Sequence, residues 1–147
     1  MQVSQKGIDL IKKFEGLNLE PYKCPAGKWT IGYGHSITSS DYFGGATTES
    51  IANQLLQRDL NIIEAYLNSV LGMKITQGMF DALASLVYNW GAANFGKSQG
   101  LKYLKTNKLK LAAKEFFSKT SGVVNINGTF SNGLFRRRQA ELEMWND

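Results

Sequence analysis

The apolar positions near the start of the chain recur at helical spacing: Ile8, Ile11 and Phe14. Ser4 precedes them and is a residue type that caps helix N-termini, whereas Gly16 follows them as a natural stop. We therefore predict a helix over residues 4–15.

The pattern then changes to a period of two, which is typical of a strand. Large apolar residues alternate with small or polar ones, namely Trp29, Ile31 and Tyr33 with Thr30, Gly32 and Gly34. The turn residues Pro25-Ala26-Gly27 lie before this run, so we predict short strands over residues 20–35. The face with Thr30 lets a substrate approach closely, whereas the opposite face, at least at Ile31, is predicted to pack in the core.

A loop over residues 36–47, which contains Gly44-Gly45, is predicted next. Thr48 can cap a long helix whose apolar stripe runs from Ile51 to Val70 and stops at Gly72. Shorter helices are predicted over 76–90, 97–106, 108–118 and 133–145, and a loop or small hairpin over 120–132. These elements define an α+β fold in which a long helix joins a small sheet to a mainly helical lobe, with a cleft between them.

Charge changes this picture only in the C-terminal third. The 147 residues include seventeen basic and twelve acidic side chains, for a net charge of +5. Residues 1–100 hold eight of each, so residues 101–147 carry the whole excess. This surface either attracts polyanions or serves only solubility, and both interpretations stay open. The basic residues form no recognisable nucleic-acid motif, so we expect no nucleic-acid partner.

Residue counts argue against several kinds of site. Cys24 is the only cysteine and His35 the only histidine, so no internal disulfide can form and a dedicated zinc site is not expected. No phosphate-loop or dinucleotide fingerprint occurs, and we expect no cofactor. No stretch approaches the roughly 20 apolar residues of a membrane span, and residues 1–13 lack the pattern of a secretory signal. We therefore expect neither membrane insertion nor signal-directed export.

Glu15 is the most informative carboxylate in the sequence. It falls in the last turn of the predicted opening helix, where the negative end of the helix dipole disfavours an anion. Partial burial beside Phe14 would act in the same direction and favour the protonated form that a general acid needs. Taken alone, Glu15 would be interpreted as an ordinary solvated side chain, so its assignment depends on its neighbours.

Eight residues separate Glu15 from Cys24, five separate Cys24 from Thr30, and the run Thr30-Ile31-Gly32-Tyr33-Gly34-His35 follows. This spacing resembles the active-site pattern of phage-type lysozymes, the endolysin family of tailed phages, which is a Glu, eight residues, an Asp or Cys, five residues and a Thr. Similar segments extend over nearly the whole chain: Thr48, Ala52, Leu55-Leu56, Asp59-Leu60, residues 77–91, Gly133-Leu134, Arg137-Arg138 and Glu141.

The resemblance implies a mainly helical lysozyme-like fold in one domain over residues 1–147. Its small lobe would span about 16–47 with a β-hairpin, its connecting helix about 48–71, and its helical lobe about 73–147, packed with the helix over 4–15. It also implies hydrolysis of the β-1,4 bond between N-acetylmuramic acid and N-acetylglucosamine in peptidoglycan. Glu15 would be the general acid, with Cys24 and Thr30 holding the attacking water, usually with inversion of configuration.

Three interpretations of Cys24 remain open. It is a thiolate base or nucleophile activated by Lys23 or Lys28, a residue that places water together with Thr30, or a small packing residue. A neutral thiol is a poor base at pH 7, so we expect Cys24 to contribute less than Glu15.

Three other residues receive predicted roles. Tyr33 either lines the sugar groove as a substrate-binding residue or packs in the core. Arg137, one of three consecutive arginines, is predicted to face the cleft and bind or support the substrate, with a salt bridge as the alternative. His35 is predicted to support the small lobe through hydrogen bonds, with direct participation in the chemistry as the alternative.

The rival functions are a lytic transglycosylase, which needs only the catalytic Glu and forms an anhydro sugar, and a non-catalytic module that binds wall polymer or nucleic acid. The resemblance also implies a route to the substrate. A monomeric enzyme without an export signal would collect in the host cytoplasm and depend on a membrane pore, such as a phage holin, to reach the wall.

Overall fold

The computed structural model describes residues 1–38, 41 and 45–147. The described chain forms seven helices and two small antiparallel sheets, which confirms the predicted α+β, mainly helical class. The helices are α1 (Gln5–Glu15), α2 (Glu49–Val70), α3 (Gln77–Trp90), α4 (Ala92–Lys97), α5 (Gln99–Lys105), α6 (Leu109–Phe117) and α7 (Asn132–Trp145). The strands are β1 (Asn18–Lys23), β2 (Trp29–Gly32), β3 (His35–Ser36), β4 (Asn125–Ile126) and β5 (Thr129–Phe130).

The N-terminal sheet has the strand order β1-β2-β3, with Tyr22 paired to Thr30 and Thr30 paired to Ser36. Ile31 is fully buried, as predicted. Trp29, which alternation assigns to the same face, is 54% exposed instead. It pairs with Lys23 beside the hairpin turn, where the Lys23 ammonium lies 5.4 Å from its ring centre. Trp29 therefore lies beside a side chain of the neighbouring strand β1 and does not pack in the core.

The alternating pattern ends earlier than predicted. Gly32 adopts a φ of +66°, and the chain turns through Tyr33 and Gly34 into β3, which lies at the start of the predicted loop over 36–47. Residues 39–40 and 42–44 of that loop, including Gly44, lie outside the described residues. The single predicted strand is thus two short ones joined by a glycine turn.

Helix α2 begins and ends close to its predicted limits. The Thr48 side chain accepts a hydrogen bond from the Ile51 N–H at 3.2 Å, as an N-cap does. Ile62 is 70% exposed although it belongs to the predicted stripe. Adjacent helical residues are about 100° apart, so Ile62 and its half-buried neighbour Ile63 cannot both face the core.

Helix α3 is the centre of the helical lobe. Residues 79–87 are all buried, and α1, α2 and α7 pack around them. Behind α3, a row of aromatic side chains fills the core between the C-terminal helices: Phe95, Phe116, Phe117 and Trp145. This packing fixes the end of α1 and the second turn of α7 against the same side of α3.

Two predicted segments differ in detail. The helix predicted over 97–106 is preceded by α4 and begins at α5, because Ser98 ends one helix and caps the next by accepting a hydrogen bond from the Leu101 N–H. The stretch 120–132 contains the β4–β5 hairpin. Asn127 and Gly128 form its turn with φ values of +49° and +81°, a combination typical of two-residue hairpins.

Candidate active site

Glu15 is the last residue of α1. The helix ends there because Gly16 adopts a φ of +69°, and the Gly16 N–H closes the last turn on the Lys12 carbonyl at 2.9 Å. The Glu15 side chain is 17% exposed. Its Oε1 accepts a hydrogen bond from Arg137 Nη1 at 2.6 Å, so one carboxylate oxygen has a fixed cationic partner.

The other carboxylate oxygen of Glu15 lies against the turn between β2 and β3 of the small sheet. A Cβ atom built on Gly34 would collide with Glu15 Oε2, and Gly34 has a φ of +72°. Only glycine satisfies both the backbone conformation and the close approach. Glu15 therefore points at the hairpin, not away from it.

The turn between β1 and β2 places Cys24 and Thr30. The Cys24 N–H donates to the Lys28 carbonyl at 2.9 Å, and the Gly27 N–H donates to the Cys24 carbonyl at 2.8 Å. Thr30 is 3% exposed, and its hydroxyl donates to the same Lys28 carbonyl at 3.0 Å. The backbone of the turn thus fixes both side chains.

The surroundings of Cys24 favour its thiolate. A hydrogen bond from the Lys28 backbone lowers the pKa of the Cys24 thiol, and the Ala26 backbone, the Thr30 hydroxyl and the Lys28 charge act in the same direction against desolvation. Of the two lysines predicted to activate Cys24, Lys28 contributes, whereas the Lys23 ammonium covers the Trp29 ring.

A cleft of about 590 Å³ contains the three residues of the spacing motif. Glu15, Cys24 and Thr30 lie on its wall together with Tyr22 and Gly34. The C-terminal end of α3, helix α4 and the β4–β5 hairpin supply other lining residues, among them Tyr88, Asn89, Asn94, Ile126 and Asn127. Residues that are distant in the sequence therefore meet at one elongated groove.

Two predicted substrate-binding residues do not lie on this wall. Tyr33 is 7% exposed and belongs to the hydrophobic core, with the Lys12 ammonium 5.1 Å from its ring centre, because the turn at Gly32 directs it inward. Arg137 is 4% exposed and is bonded to Glu15. At Tyr33 the alternative, core packing, describes the structure, whereas Arg137 forms a salt bridge with Glu15 inside the helical lobe.

Arg137 belongs to a buried charge network between α3 and α7. Glu141, which has no exposed surface, accepts hydrogen bonds from the Ser85 hydroxyl at 2.6 Å, Arg137 Nε at 3.3 Å and Arg138 Nη2 at 2.8 Å. Arg138 Nε also lies 2.7 Å from Glu141 Oε2 as an ion pair without linear hydrogen-bond geometry. The network holds the Arg137 guanidinium in place beside Glu15.

His35 binds two carboxylates. Its Nδ1 lies 2.7 Å from Asp59 Oδ2 on α2, and its Nε2 lies 2.8 Å from Asp41 Oδ2 in the small lobe. The hydrogen bond to Asp59 raises the pKa of His35, and that to Asp41 adds to it despite burial. His35 therefore joins the sheet to the connecting helix.

Two tyrosines on the cleft wall received no role from the sequence. Burial raises the pKa of Tyr22, and the charges of Glu15 and Cys24 raise it further. The Tyr88 hydroxyl donates to the Tyr33 carbonyl at 2.5 Å, and burial, with the Asp59 and Glu15 charges, strongly raises its pKa. Both hydroxyls remain protonated donors at neutral pH. Tyr22 lies between Glu15 and Cys24 of the spacing motif, and Tyr88 lies in the similar segment 77–91, but neither was singled out.

Within the described residues, no group of three or more His, Cys, Asp or Glu side chains is arranged to hold a metal ion. None of the helices in that part of the chain combines the length and the apolar character needed to cross a membrane. The side chains on the cleft wall offer a carboxyl group, a thiol, hydroxyl groups and amides.

A small sheet set against a helical lobe, with a groove between them and a carboxyl group at the end of the first helix, defines a lysozyme-like glycoside hydrolase. Residues 12–141 match the model of the Phage lysozyme family. The chain is 40% identical over 145 residues to an endolysin of Acyrthosiphon pisum secondary endosymbiont phage 1, covering 99% of this chain and 98% of that protein.

Solved structures agree with this relationship. The muramidase domain of SpmX from Asticaccaulis excentricus is similar with a TM-score of 0.83 and 33% identity, covering 99% of this chain and 98% of that one. The endolysin of Escherichia coli O157:H7 phage FAHEc1 is similar with a TM-score of 0.81 and 36% identity, covering 100% and 94%. This chain belongs to the phage lysozyme family and is a peptidoglycan hydrolase, which removes the non-catalytic binding module from the rival functions.

Proposed function

We propose that this enzyme hydrolyses the β-1,4 bond between N-acetylmuramic acid and N-acetylglucosamine, with Glu15 as the general acid. The observation that carries the proposal is that Glu15, Cys24 and Thr30 line one cleft, with the carboxylate directed at the hairpin that bears the other two. The groove is large enough for saccharide units, and its wall mixes polar and apolar side chains as a sugar site requires.

The proton is held on the Glu15 oxygen that Arg137 does not bind. Arg137 Nη1 occupies Oε1, so Oε2, beside Gly34 on the cleft wall, is the atom that faces the glycosidic oxygen. Donating the proton leaves a carboxylate, and the adjacent guanidinium stabilises that product. Arg137 is thus a positioning residue rather than a substrate contact.

The attacking water is held by Thr30 and Cys24. The single hydrogen of the Thr30 hydroxyl is directed to the Lys28 carbonyl or to the Cys24 sulfur, so the hydroxyl oxygen accepts a hydrogen bond from the water and leaves the lone pairs of the water free for attack. The water oxygen bonds to the anomeric carbon as the glycosidic bond breaks, and the leaving oxygen takes the Glu15 proton. The Cys24 thiolate accepts the proton lost by the water, and attack from the face opposite the acid inverts the configuration.

Digestion of purified cell walls tests these assignments. Glu15→Gln keeps an acceptor for Arg137 and removes the transferable proton, and we expect it to lower the release of reducing ends by roughly 100- to 10,000-fold. We expect Cys24→Ala and Thr30→Val to lower it less, and Cys24→Asp to retain most of it. Full activity of Glu15→Gln together with loss in Cys24→Ala would reverse the roles.

Product masses distinguish the remaining rival. Hydrolysis adds one water to each product pair, whereas a lytic transglycosylase leaves an anhydro sugar of the same total mass as the substrate. We expect hydrolysed ends only. If the wild type released anhydro products, Cys24 and Thr30 would not hold an attacking water, and the reaction would be transglycosylation by Glu15 alone.

We propose further that the enzyme acts as a monomer that waits in the host cytoplasm for a membrane pore such as a holin. Expression in a bacterial host should leave turbidity unchanged until the inner membrane is permeabilised, and should then cause rapid lysis. Lysis while the membrane potential is still intact would contradict this delivery route.

A further inference from the structure

The buried guanidinium of Arg138 contacts the side chain of one residue that lines the cleft, Asn89. Arg138 has no exposed surface, and its Nη2 and Nε face Glu141. On its other side, Nη1 lies 3.0 Å from Asn89 Oδ1 and 3.4 Å from the Val123 carbonyl. A guanidinium carries donors only, so the group that faces it must be an acceptor.

This contact fixes which way the Asn89 amide points. Oδ1 must face Arg138, and the Nδ2 hydrogens are consequently directed away from it. Asn89 is exposed and lines the cleft at the end of α3, and no described residue accepts a hydrogen bond from its Nδ2. The cleft wall therefore presents an oriented amide donor whose own partner has to come from the ligand.

An aliphatic residue lines the cleft close to this donor. Val123 lines the same cleft and is held beside Asn89, because Arg138 Nη1 reaches both residues. A planar group with a carbonyl acceptor next to a methyl group fits a donor beside an aliphatic side chain. Among the groups on a cell-wall glycan, the acetamido substituent has that composition.

We propose that Asn89 donates a hydrogen bond to the acetamido carbonyl of an N-acetylated sugar and so selects N-acetylated over de-N-acetylated glycan, with Arg138 as its positioning residue. This inference rests on the proposed glycan-cleaving function. A de-N-acetylated sugar has a protonated amine in place of the acetamido group and so offers no carbonyl acceptor to Asn89 and no methyl group to Val123.

The test measures kcat/KM on purified walls and on the same walls after chemical de-N-acetylation. Asn89→Asp keeps the acceptor for Arg138 and removes the donor, and Asn89→Ala removes both without adding charge. Asn61→Asp makes the same charge change on an exposed face of α2, where Asn61 is a hydrogen-bond acceptor for Gln57. This control corrects for the effect of net charge on the more cationic substrate.

We expect the wild type and Asn61→Asp to prefer N-acetylated walls, and both Asn89 variants to lose about ten-fold of that preference through a higher KM. Folded Arg138→Lys should also lose preference, because the orientation of the Asn89 amide is no longer fixed. If Arg138 were merely structural, the rates on N-acetylated and de-N-acetylated walls would fall equally. An unchanged preference in folded Asn89 variants, or none in an active wild type, would overturn the inference. Both of these outcomes require a wild-type enzyme that digests walls. They are therefore distinct from failure of the proposed function, in which the wild type would release no reducing ends.

Discussion

The carboxylate of Glu15 is held on both sides, by a cation at one oxygen and by a glycine at the other. Gly34→Ala would place a Cβ where Glu15 Oε2 lies, at a φ of +72°. We expect the displaced carboxylate to lower wall hydrolysis by roughly 100-fold, and the strained backbone to cost about 1–2 kcal/mol of unfolding free energy. Turbidity assays and denaturant unfolding measure the two effects separately.

Gly27→Ala is the matched control for this variant. Gly27 has a similar φ of +77°, but a Cβ there would meet nothing within 4 Å. It should lose about the same stability and keep most of its activity. Equal losses of activity in the two variants would show that hairpin strain, rather than contact with Glu15, is responsible.

His35 should make stability depend on pH. Its pKa is raised in the folded state by Asp59 and Asp41, so its contribution is complete below the unfolded value of about 6.5 and is lost as the pH rises through the folded pKa. The His35 hydrogen bond lowers the pKa of Asp41, with Thr38 and Arg58 assisting, so that contribution is lost only in acid, as the pH falls below 3.8 through the folded pKa. The contributions of His35 and Asp41 to stability are therefore both complete between pH 3.8 and about 6.5.

We therefore expect the difference in unfolding free energy between the wild type and His35→Asn to be largest near pH 5–6 and to shrink steadily in alkaline solution. Denaturant unfolding over pH 4–10 measures it. His35 is the only histidine, so its imidazole signals in an NMR titration report its pKa without ambiguity. A titration midpoint at or below the ordinary histidine value would refute this linkage.

At the scale of elements, α7 carries buried ion pairs that also hydrogen-bond to Ser85 of α3. Glu141 compensates two arginines, and a buried charge left without its partner is costly. We expect Glu141→Gln to lower the unfolding free energy by roughly 3–5 kcal/mol and to reduce activity, because Arg137 loses the carboxylate that orients it toward Glu15. Thermal and denaturant unfolding, with wall hydrolysis in the folded range, measure the two outcomes.

Glu143→Gln controls for the chemical change, since Glu143 is exposed on the same helix. It should alter stability by no more than about 0.5 kcal/mol. If Glu141→Gln were as mild as this control, the network could not be what holds Arg137 in position.

Helix limits were predictable because local chemistry sets them. Ser4 and Thr48 cap the helices that they were expected to cap, and Gly16 ends α1. β3 and α4, of two and six residues, were missed because they are too short to produce a periodic pattern. Trp29 followed the alternation of its strand but not its burial, since it lies beside Lys23 at the turn end of the hairpin, where it is 54% exposed.

At the scale of the whole molecule, the motif residues were predictable because the resemblance rests on a spacing within sixteen positions of the chain. The groups that complete the site come from distant segments. Arg137 lies 122 positions from Glu15, and only packing around α3 brings them together. Nor could the sequence distinguish the buried Arg138 from the exposed Arg136 beside it, because their separation follows from the rotation of α7.

The net charge is likewise a property of the whole molecule, and its location makes a testable difference. Lys102, Lys105 and Lys108 are exposed in the basic C-terminal third, and none of them lines the cleft. If this surface attracts anionic wall polymers, changing all three to Gln should lower the rate on native walls roughly 3- to 10-fold at low ionic strength. The difference should vanish near 0.5 M salt, where the screening length falls to about 4 Å.

Comparing the wild type and the triple variant on native and on stripped walls shows whether the anionic polymers cause the difference in rate. Walls stripped of their anionic polymers keep the glycan that the enzyme cuts but lose the charge that the lysines would recognise. The wild type and the triple variant should therefore digest stripped walls at equal rates at every salt concentration. A triple variant as fast as the wild type on native walls at low salt would leave solubility as the role of the basic surface. A variant slower on both substrates would place the lysines in glycan binding instead, because only a contact with the sugar chain survives removal of the polyanion.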